Sequence, residues 1–228
     1  RQVAYTPSPT VRQFILSQAF INVIYSARGE GKTTSALMKT VYHAQQSPKA
    51  LWPLRWALVR DTRRNIGITT ARTILEWFPR PYSRFRGKED EPESITLFLG
   101  QYPALIFDCF GVNSADDMSR FLSYAASVGI WIEEPAPAAT DKEFLSSGIS
   151  ESALAVSITS CRGAPHPHIL ISMNPPAASH WTAQLFHLQG YEELGDLEAE
   201  MPREQREARE DLRHQSATFA IPPGENRA

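Results

Sequence analysis

An α/β fold is what this sequence predicts: a mostly parallel central sheet flanked by helices, with one antiparallel hairpin. Three observations carry the expectation. The apolar run Val23-Ile24-Tyr25 breaks into a short glycine-bearing loop and restarts at Lys32-Thr33-Thr34 as a helix. A second apolar run, residues 128–132, ends in two adjacent acids, Glu133 and Glu134. Residues 94–99 and 104–110 both read as strands and are separated only by Gly100-Gln101-Tyr102-Pro103, the spacing of a hairpin.

The bulk properties are those of a globular protein. The 228 residues suffice for one large α/β domain with a small appendage, and 42% are hydrophobic and 21% charged. No apolar run approaches the ~20 residues of a membrane span, so no membrane partner is expected. The two cysteines, Cys109 and Cys161, lack metal-ligand spacing and fit a reduced, cytoplasmic setting. A net charge of −2 argues against a wholly basic nucleic-acid coat while leaving room for a local basic face.

In chain order, Pro7 and Pro9 mark an extended lead-in and residues 9–16 a short helix. The first strand is expected at 21–26, a helix from Lys32 to about Gln46 closed by Pro48, and a second strand at 55–60. Residues 62–78 read as a helix with Ile66, Thr70, Thr73, Ile74 and Trp77 near one face, stopped by Pro79 and Pro81. The basic stretch 80–86, with Tyr82 and Phe85 interleaved, reads either as a DNA or partner contact or as a solvated loop. After the hairpin come a polar turn and short helix at 113–122, then the strand ending in Glu133-Glu134. A helix is expected over 140–156, with Asp141, Glu143 and Phe144 near its start, then a turn-rich segment at 160–167 containing Arg162. Residues 168–173 form another core strand, and His180-Trp181 open a helix running to about Leu188. From Tyr191 the composition turns acidic, with Glu192, Glu193, Asp196, Glu198 and Glu200. A charged helix at 202–213 and a strand at 217–221 come next. The expected division is thus residues 1–190 as the main domain and 191–228 as a charged appendage and linker.

Two stretches carry chemistry. In Ser26-Ala27-Arg28-Gly29-Glu30-Gly31-Lys32-Thr33-Thr34 the glycines let successive N–H groups face inward around phosphate oxygens, and the following helix presents its positive end. Lys32 would reach the β/γ-phosphates and Thr33 a Mg²⁺ ion. Ser26 stands where the pattern G-x-x-x-x-G-K-[ST] has its first glycine. At Glu133-Glu134, one carboxylate can hold Mg²⁺ and the next polarise the attacking water. Gln13 is a candidate for the adenine edge or an ordinary solvated helix position, and Asn174 at a strand tip is a candidate for sensing the γ-phosphate.

The ordered set resembles the large terminase subunit of tailed bacteriophages, specifically its N-terminal packaging ATPase, from Pro9 to about Leu188. The phosphate loop with its internal Arg28 is similar to that family's Walker A. Phe110-Gly111-Val112-Asn113-Ser114-Ala115-Asp116-Asp117-Met118-Ser119-Arg120 resembles the segment ahead of Walker B, and Ile130-Trp131-Ile132-Glu133-Glu134 resembles Walker B itself, with Glu133 where many members carry Asp. Ser172-Met173-Asn174-Pro175 resembles the coupling motif, and His180-Trp181 the His-Trp pair beyond it. The resemblance implies a P-loop NTPase fold of the additional-strand type, hydrolysis of MgATP, and translocation of double-stranded DNA into a procapsid. It implies a homo-oligomeric ring on the portal protein, a small terminase subunit as partner, and action in the host cytoplasm rather than in the mature virion. The nuclease domain that family members carry is not expected within these residues. Lys32 and the loop amides would neutralise charge, Thr33 and Glu133 would place Mg²⁺, and Glu134 would orient water. Arg28 is the candidate arginine finger in cis and Arg120 in trans. A helicase-like P-loop motor or a nucleotide-gated binding module are the alternative readings.

Overall fold

The computed structural model describes residues 4–124, 128–136, 148–161, 167–188, 198 and 201–225. Eight strands form one sheet in the order β3-β4-β5-β2-β6-β7-β1-β8. Its centre consists of β1 (Ile21–Tyr25), β2 (Leu54–Arg60), β6 (Gly129–Glu133) and β7 (His168–Met173), paired in parallel as β2-β6-β7-β1. β1, β6 and β7 are buried along their whole length, as strands covered on both faces must be, and this is why they read as continuous apolar runs.

Helices cover the two faces. On one, α1 (Pro9–Leu16) and α2 (Lys32–Gln46) bring Phe14, Leu37 and Val41 onto Trp56, Leu58, Trp131 and Leu170. On the other, α5 (Ala115–Leu122), α6 (Glu151–Ser160) and α7 (Trp181–Phe186) bring Phe121, Leu154 and Leu185 onto Val23, Val59, Ile132 and Ile171. Each such fully buried aliphatic side chain contributes about 1.5–3 kcal/mol relative to exposure. α2 ends where expected, because Ser47 precedes Pro48 and takes an extended backbone (ψ 143°).

The sheet is wider than the sequence foretold. β4 (Glu91–Leu99) and β5 (Tyr102–Gly111) form the expected antiparallel hairpin, and β5 continues the sheet by pairing in parallel with β2. The basic stretch 80–86, read as a loop, instead enters a strand, β3 (Ser83–Lys88), antiparallel to β4. Arg84 and Arg86 stand exposed while Phe85 packs against the core, the alternation of an edge strand wet on one face.

The helix expected at 62–78 has an internal irregularity. It runs as α3 (Arg63–Asn65), a π-helical turn over Ile66–Thr70, then α4 (Ala71–Trp77). Gly67 lies in that turn against the tip between β3 and β4, where a β-carbon would come within 2.2 Å of the Asp90 carbonyl oxygen. Helix α6 starts later than expected. Residues 148–150 precede it, Gly148 has φ 63°, and its end reaches Ser160 instead of 156. The proposed helix start at Asp141, Glu143 and Phe144 lies outside the described residues, as do Arg162, Glu192, Glu193, Asp196 and Glu200.

β8 (Ser216–Ala220) pairs in parallel with β1, so the sheet is not complete by residue 190. The charged helix α8 (Arg203–His214) reaches β8 tethered by ion pairs. Arg209 binds Glu151 of α6 at 2.8 Å, and Arg213 binds Glu198 at 2.9 Å. The hydrogen bond from Arg213 holds the Glu198 carboxyl below its ordinary range.

Candidate active site

The carboxyl ends of β1, β2, β6 and β7 open into a cleft of about 680 Å³, where open α/β sheets place their ligands. The loop after β1 supplies Arg28, Gly29, Gly31, Lys32, Thr33 and Thr34 to its lining. Gly31 takes φ 76° as the residue capping α2, a left-handed conformation that favours glycine, and so turns the loop into the helix. α2 carries no acidic residue in its first turn, leaving its positive end for an anion.

Three strand ends are tied together by side chains in this cleft. Lys32 Nζ donates to the Ala27 carbonyl and to Asn174 Oδ1, both at 3.0 Å. Asn174 donates in turn from its backbone N and its Nδ2 to Glu134 Oε2, both at 3.0 Å. Thr33 Oγ1 donates to Glu133 Oε1 at 2.5 Å. The other Glu133 oxygen receives Trp131 Nε1 at 3.0 Å and the Ser172 hydroxyl, while Trp131 also reaches Ser172 Oγ at 2.7 Å. Glu133 is buried and fixed from two strands before any ligand arrives.

Adjacent residues of a strand face opposite ways, and the structure resolves this for the two acids. Glu133 closes β6 on the Trp131 side, and Glu134 takes φ 49°, a strained left-handed conformation for a residue with a β-carbon, and lines the same cleft. Burial, and the Glu133 charge beside it, raise the Glu134 carboxyl above its ordinary value against the pull of Asn174, Lys32 and Arg60. Burial lowers Lys32, opposed by Glu134, Glu133 and Glu30.

The remaining sequence candidates divide. Ser26 is buried at the loop's start and Ala27 supplies the carbonyl that Lys32 binds. Glu30 is buried and accepts from the backbone N of Gly224 at 3.1 Å, so it braces the loop rather than lining the cleft. Gln13 stands exposed on α1 and does not line the cleft. Arg120 lies exposed on α5, at a separate depression with Arg55, Arg63, Asp117 and Tyr124. Within one chain it is not brought to the phosphate loop. The sequence reading missed Arg60, Asp61, Asn65, Thr69 and Thr73, which line the cleft from β2 and the helix after it, and it missed the Trp131–Ser172 support of Glu133.

Among the described residues no three His, Cys, Asp or Glu side chains gather as a self-sufficient metal site. Thr33 and Glu133, a hydroxyl and a carboxylate in contact, are the kind of oxygen donors that Mg²⁺ accepts, an ion that commonly keeps several waters and takes further ligands from phosphates. The residues therefore fit a Mg²⁺–nucleotide.

No protein-family profile matches the sequence, and no curated protein matches it. Solved structures do. The large terminase from a thermophilic bacteriophage aligns over 98% of this chain and 48% of its own, with a TM-score of 0.60 and 12% identity. The same phage's large terminase in complex with ADP aligns over 96% of this chain and 46% of its own, with a TM-score of 0.59 and 14% identity. The large terminase ATPase domain of Thermus phage P74-26 aligns over 98% of this chain and 84% of its own, with a TM-score of 0.56 and 15% identity. The chain spans about half the length of the first two of these proteins. Its eight-stranded mixed sheet, with a glycine-bearing loop leading from β1 into α2, has the fold of a large terminase ATPase domain.

Proposed function

We propose that this chain hydrolyses ATP and serves as the ATPase motor of a phage DNA-packaging terminase. The observation that carries the proposal is the convergence of Lys32, Thr33, Glu133, Glu134 and Asn174, from the ends of three strands, on one cleft beside an α-helix N-terminus. Lys32 and the loop N–H groups hold the phosphate chain. Asn174, now bonded to both Lys32 and Glu134, senses the terminal phosphate by exchanging one of these partners for it. Glu134 orients water for in-line attack and accepts its proton. Thr33 and Glu133 would hold Mg²⁺, which would offset the negative charge of the phosphates. Arg28 at the cleft is the cis candidate for charge stabilisation. Arg120 on its separate exposed face is the trans candidate, delivered by a neighbouring copy in a ring.

The finer reading draws on the likeness to the solved phage terminases: double-stranded DNA as the moved substrate, a portal protein and a small terminase subunit as partners, and the host cytoplasm as the place of action. No described helix is long and apolar enough to cross a membrane.

Phosphate release with MgATP tests the reaction. Glu134→Gln keeps its shape and its bonds to Asn174, so it is expected to bind MgATP while turning over about 10²-fold more slowly. Glu133→Gln is expected to weaken binding and the Mg²⁺ requirement together. A Glu133→Gln protein that trapped ATP tightly would reverse the two roles. DNA-dependent stimulation of turnover tests the motor assignment separately.

A further inference from the structure

Arg60 is the last residue of β2, and β2 lies directly beside the Glu133 strand β6. Arg60 lines the cleft with Lys32, Glu133 and Glu134, and its side chain is 13% exposed. Nη1 donates to the Thr69 hydroxyl in a very short contact and reaches the Asn65 carbonyl at 3.5 Å. Nε is buried without a hydrogen bond, and its nearest carboxylate oxygen, on Asp61, stands 3.8 Å away. A buried guanidinium N–H without an acceptor is costly, and a neutral hydroxyl is a weak partner for a cation.

Both partners of Nη1 belong to the helix that follows β2. Asn65 is fixed by Asp61, whose oxygens receive its Nδ2 at 2.9 and 2.7 Å, and by the Thr62 hydroxyl, which caps its backbone N at 3.0 Å. Thr69 lies within the π-helical turn and donates to the Asn65 carbonyl at 2.6 Å. Turns of this kind concentrate at functional sites. The same turn holds Gly67 against the tip of the β3–β4 hairpin, so a shift of the turn reaches that hairpin through backbone contact.

We propose that Arg60 reads the terminal phosphate in cis: with a nucleoside triphosphate in the cleft, its guanidinium exchanges the Thr69 hydroxyl for a γ-phosphate oxygen and frees the π-helical turn from the site. The inference rests on the nucleotide reading of the cleft. A phosphate oxygen is a charged acceptor in the fork geometry that a guanidinium matches, so the exchange favours the triphosphate state specifically. A diphosphate leaves Arg60 on Thr69 and the turn in place. The nucleotide's charge state is thereby passed to the edge of the sheet.

The test compares affinities for Mg²⁺ with a non-hydrolysable ATP analogue and for MgADP in four proteins: wild type, Arg60→Gln, Arg60→Lys and Thr69→Val. Arg60→Gln is expected to cut the preference for the triphosphate about tenfold or more while leaving MgADP affinity within about twofold, and Arg60→Lys to keep part of the preference. Thr69→Val removes the competing partner at an exposed position and is expected to raise the preference severalfold. An Arg60→Gln protein with an unchanged ratio, or with both affinities lowered equally, overturns the inference, as does a Thr69→Val protein with the wild-type ratio. Wild type that binds neither nucleotide overturns the nucleotide reading itself, and this inference with it.

Discussion

The two ends of the central sheet hold cavities of similar size with opposite contents. At the carboxyl ends, about 680 Å³ are lined by Lys32, Thr33, Glu133, Glu134 and Asn174. At the amino ends, about 740 Å³ are lined by Ile15, Lys39, Tyr42, His43, Trp56 and His168, among others. Each contains a buried lysine of α2, seven residues apart and so on nearly the same helical face. Lys32 binds the Ala27 carbonyl of its own loop and the Asn174 amide oxygen beyond β7, with the charges of Glu133 and Glu134 nearby. Lys39 meets the carbonyl oxygens of Phe14, Ile15 and Ser17 at 2.8, 3.2 and 2.6 Å, where it ties α2 to the end of α1. Cavity size and a buried cation therefore identify nothing by themselves. What separates a reactive site from a structural one is whether the cation's partners can be exchanged for a ligand. In the proposed reaction Lys32 trades Asn174 for phosphate, whereas Lys39 is bound to three carbonyls of the fold.

The sharpest way to break this contrast is to remove each lysine. Lys32→Ala is expected to lower turnover about 10³-fold and to abolish thermal stabilisation by MgATP, with the fold retained. Lys39→Met should do the reverse, leaving the carbonyls of Phe14, Ile15 and Ser17 without the ammonium. It should lose about 3 kcal/mol in denaturant unfolding, with turnover of the folded fraction within about twofold of wild type. If Lys39→Met silenced turnover in fully folded protein, the amino-end cavity would belong to the reaction.

A pH series sharpens the same point. Burial lowers Lys39 to about 8, against an ordinary value of 10.5. Below pH 8 both states hold the proton and Lys39 contributes no slope. Between about 8 and 10.5 the unfolded chain holds more protons than the native one, so unfolding free energy rises with pH, by at most about 3 kcal/mol from this group. Urea midpoints measured across that range should climb more steeply in wild type than in Lys39→Met. Equal slopes would place the native Lys39 at its ordinary value. The smallest effect is expected for Gln46→Ala, at the exposed mouth of the amino-end cavity. Its stability should stay within about 0.5 kcal/mol of wild type, with unchanged turnover.

Much of the central sheet was legible because its signals are local. The runs that became β1, β6 and β7 are continuous and apolar, and the glycine loop between a strand and a helix is recognisable from spacing alone. β3 was not legible. Prolines 79 and 81 and three charged residues made Ser83–Lys88 read as a loop, and only its pairing with β4 gives it a strand's hydrogen bonds. The π-helical turn has no local signature either, since the residues around it keep a helical apolar face. Arg60 is the clearest case of a site residue invisible in the sequence. One arginine ending a strand is commonplace, and what makes it part of the site is that β2 lies next to β6, a fact of sheet order. Gln13 shows the converse. Its place just upstream of the loop allowed either an adenine contact or an ordinary solvated helix position, and in the structure it is exposed on α1 and does not line the cleft.

The pairing of β8 with β1 bears on how this protein is made. β1 is an interior strand only because Ser216–Ala220 lies beside it, with Ile21 opposite Ser216 and Tyr25 opposite Ala220. During synthesis, residues 21–25 leave the ribosome long before their outer partner exists. Until that partner arrives, one side of β1 is a bare edge of N–H and C=O groups able to pair with another nascent chain. Contacts so distant in sequence form late, because a long loop must close first. The bond from Gly224 to Glu30 falls under the same delay. The glycine-bearing loop after β1, encoded near the start of the described chain, is thus among the last parts to be braced. Chains that stop short of residue 216 are expected to aggregate through β1, the strand that leads into the loop before Lys32.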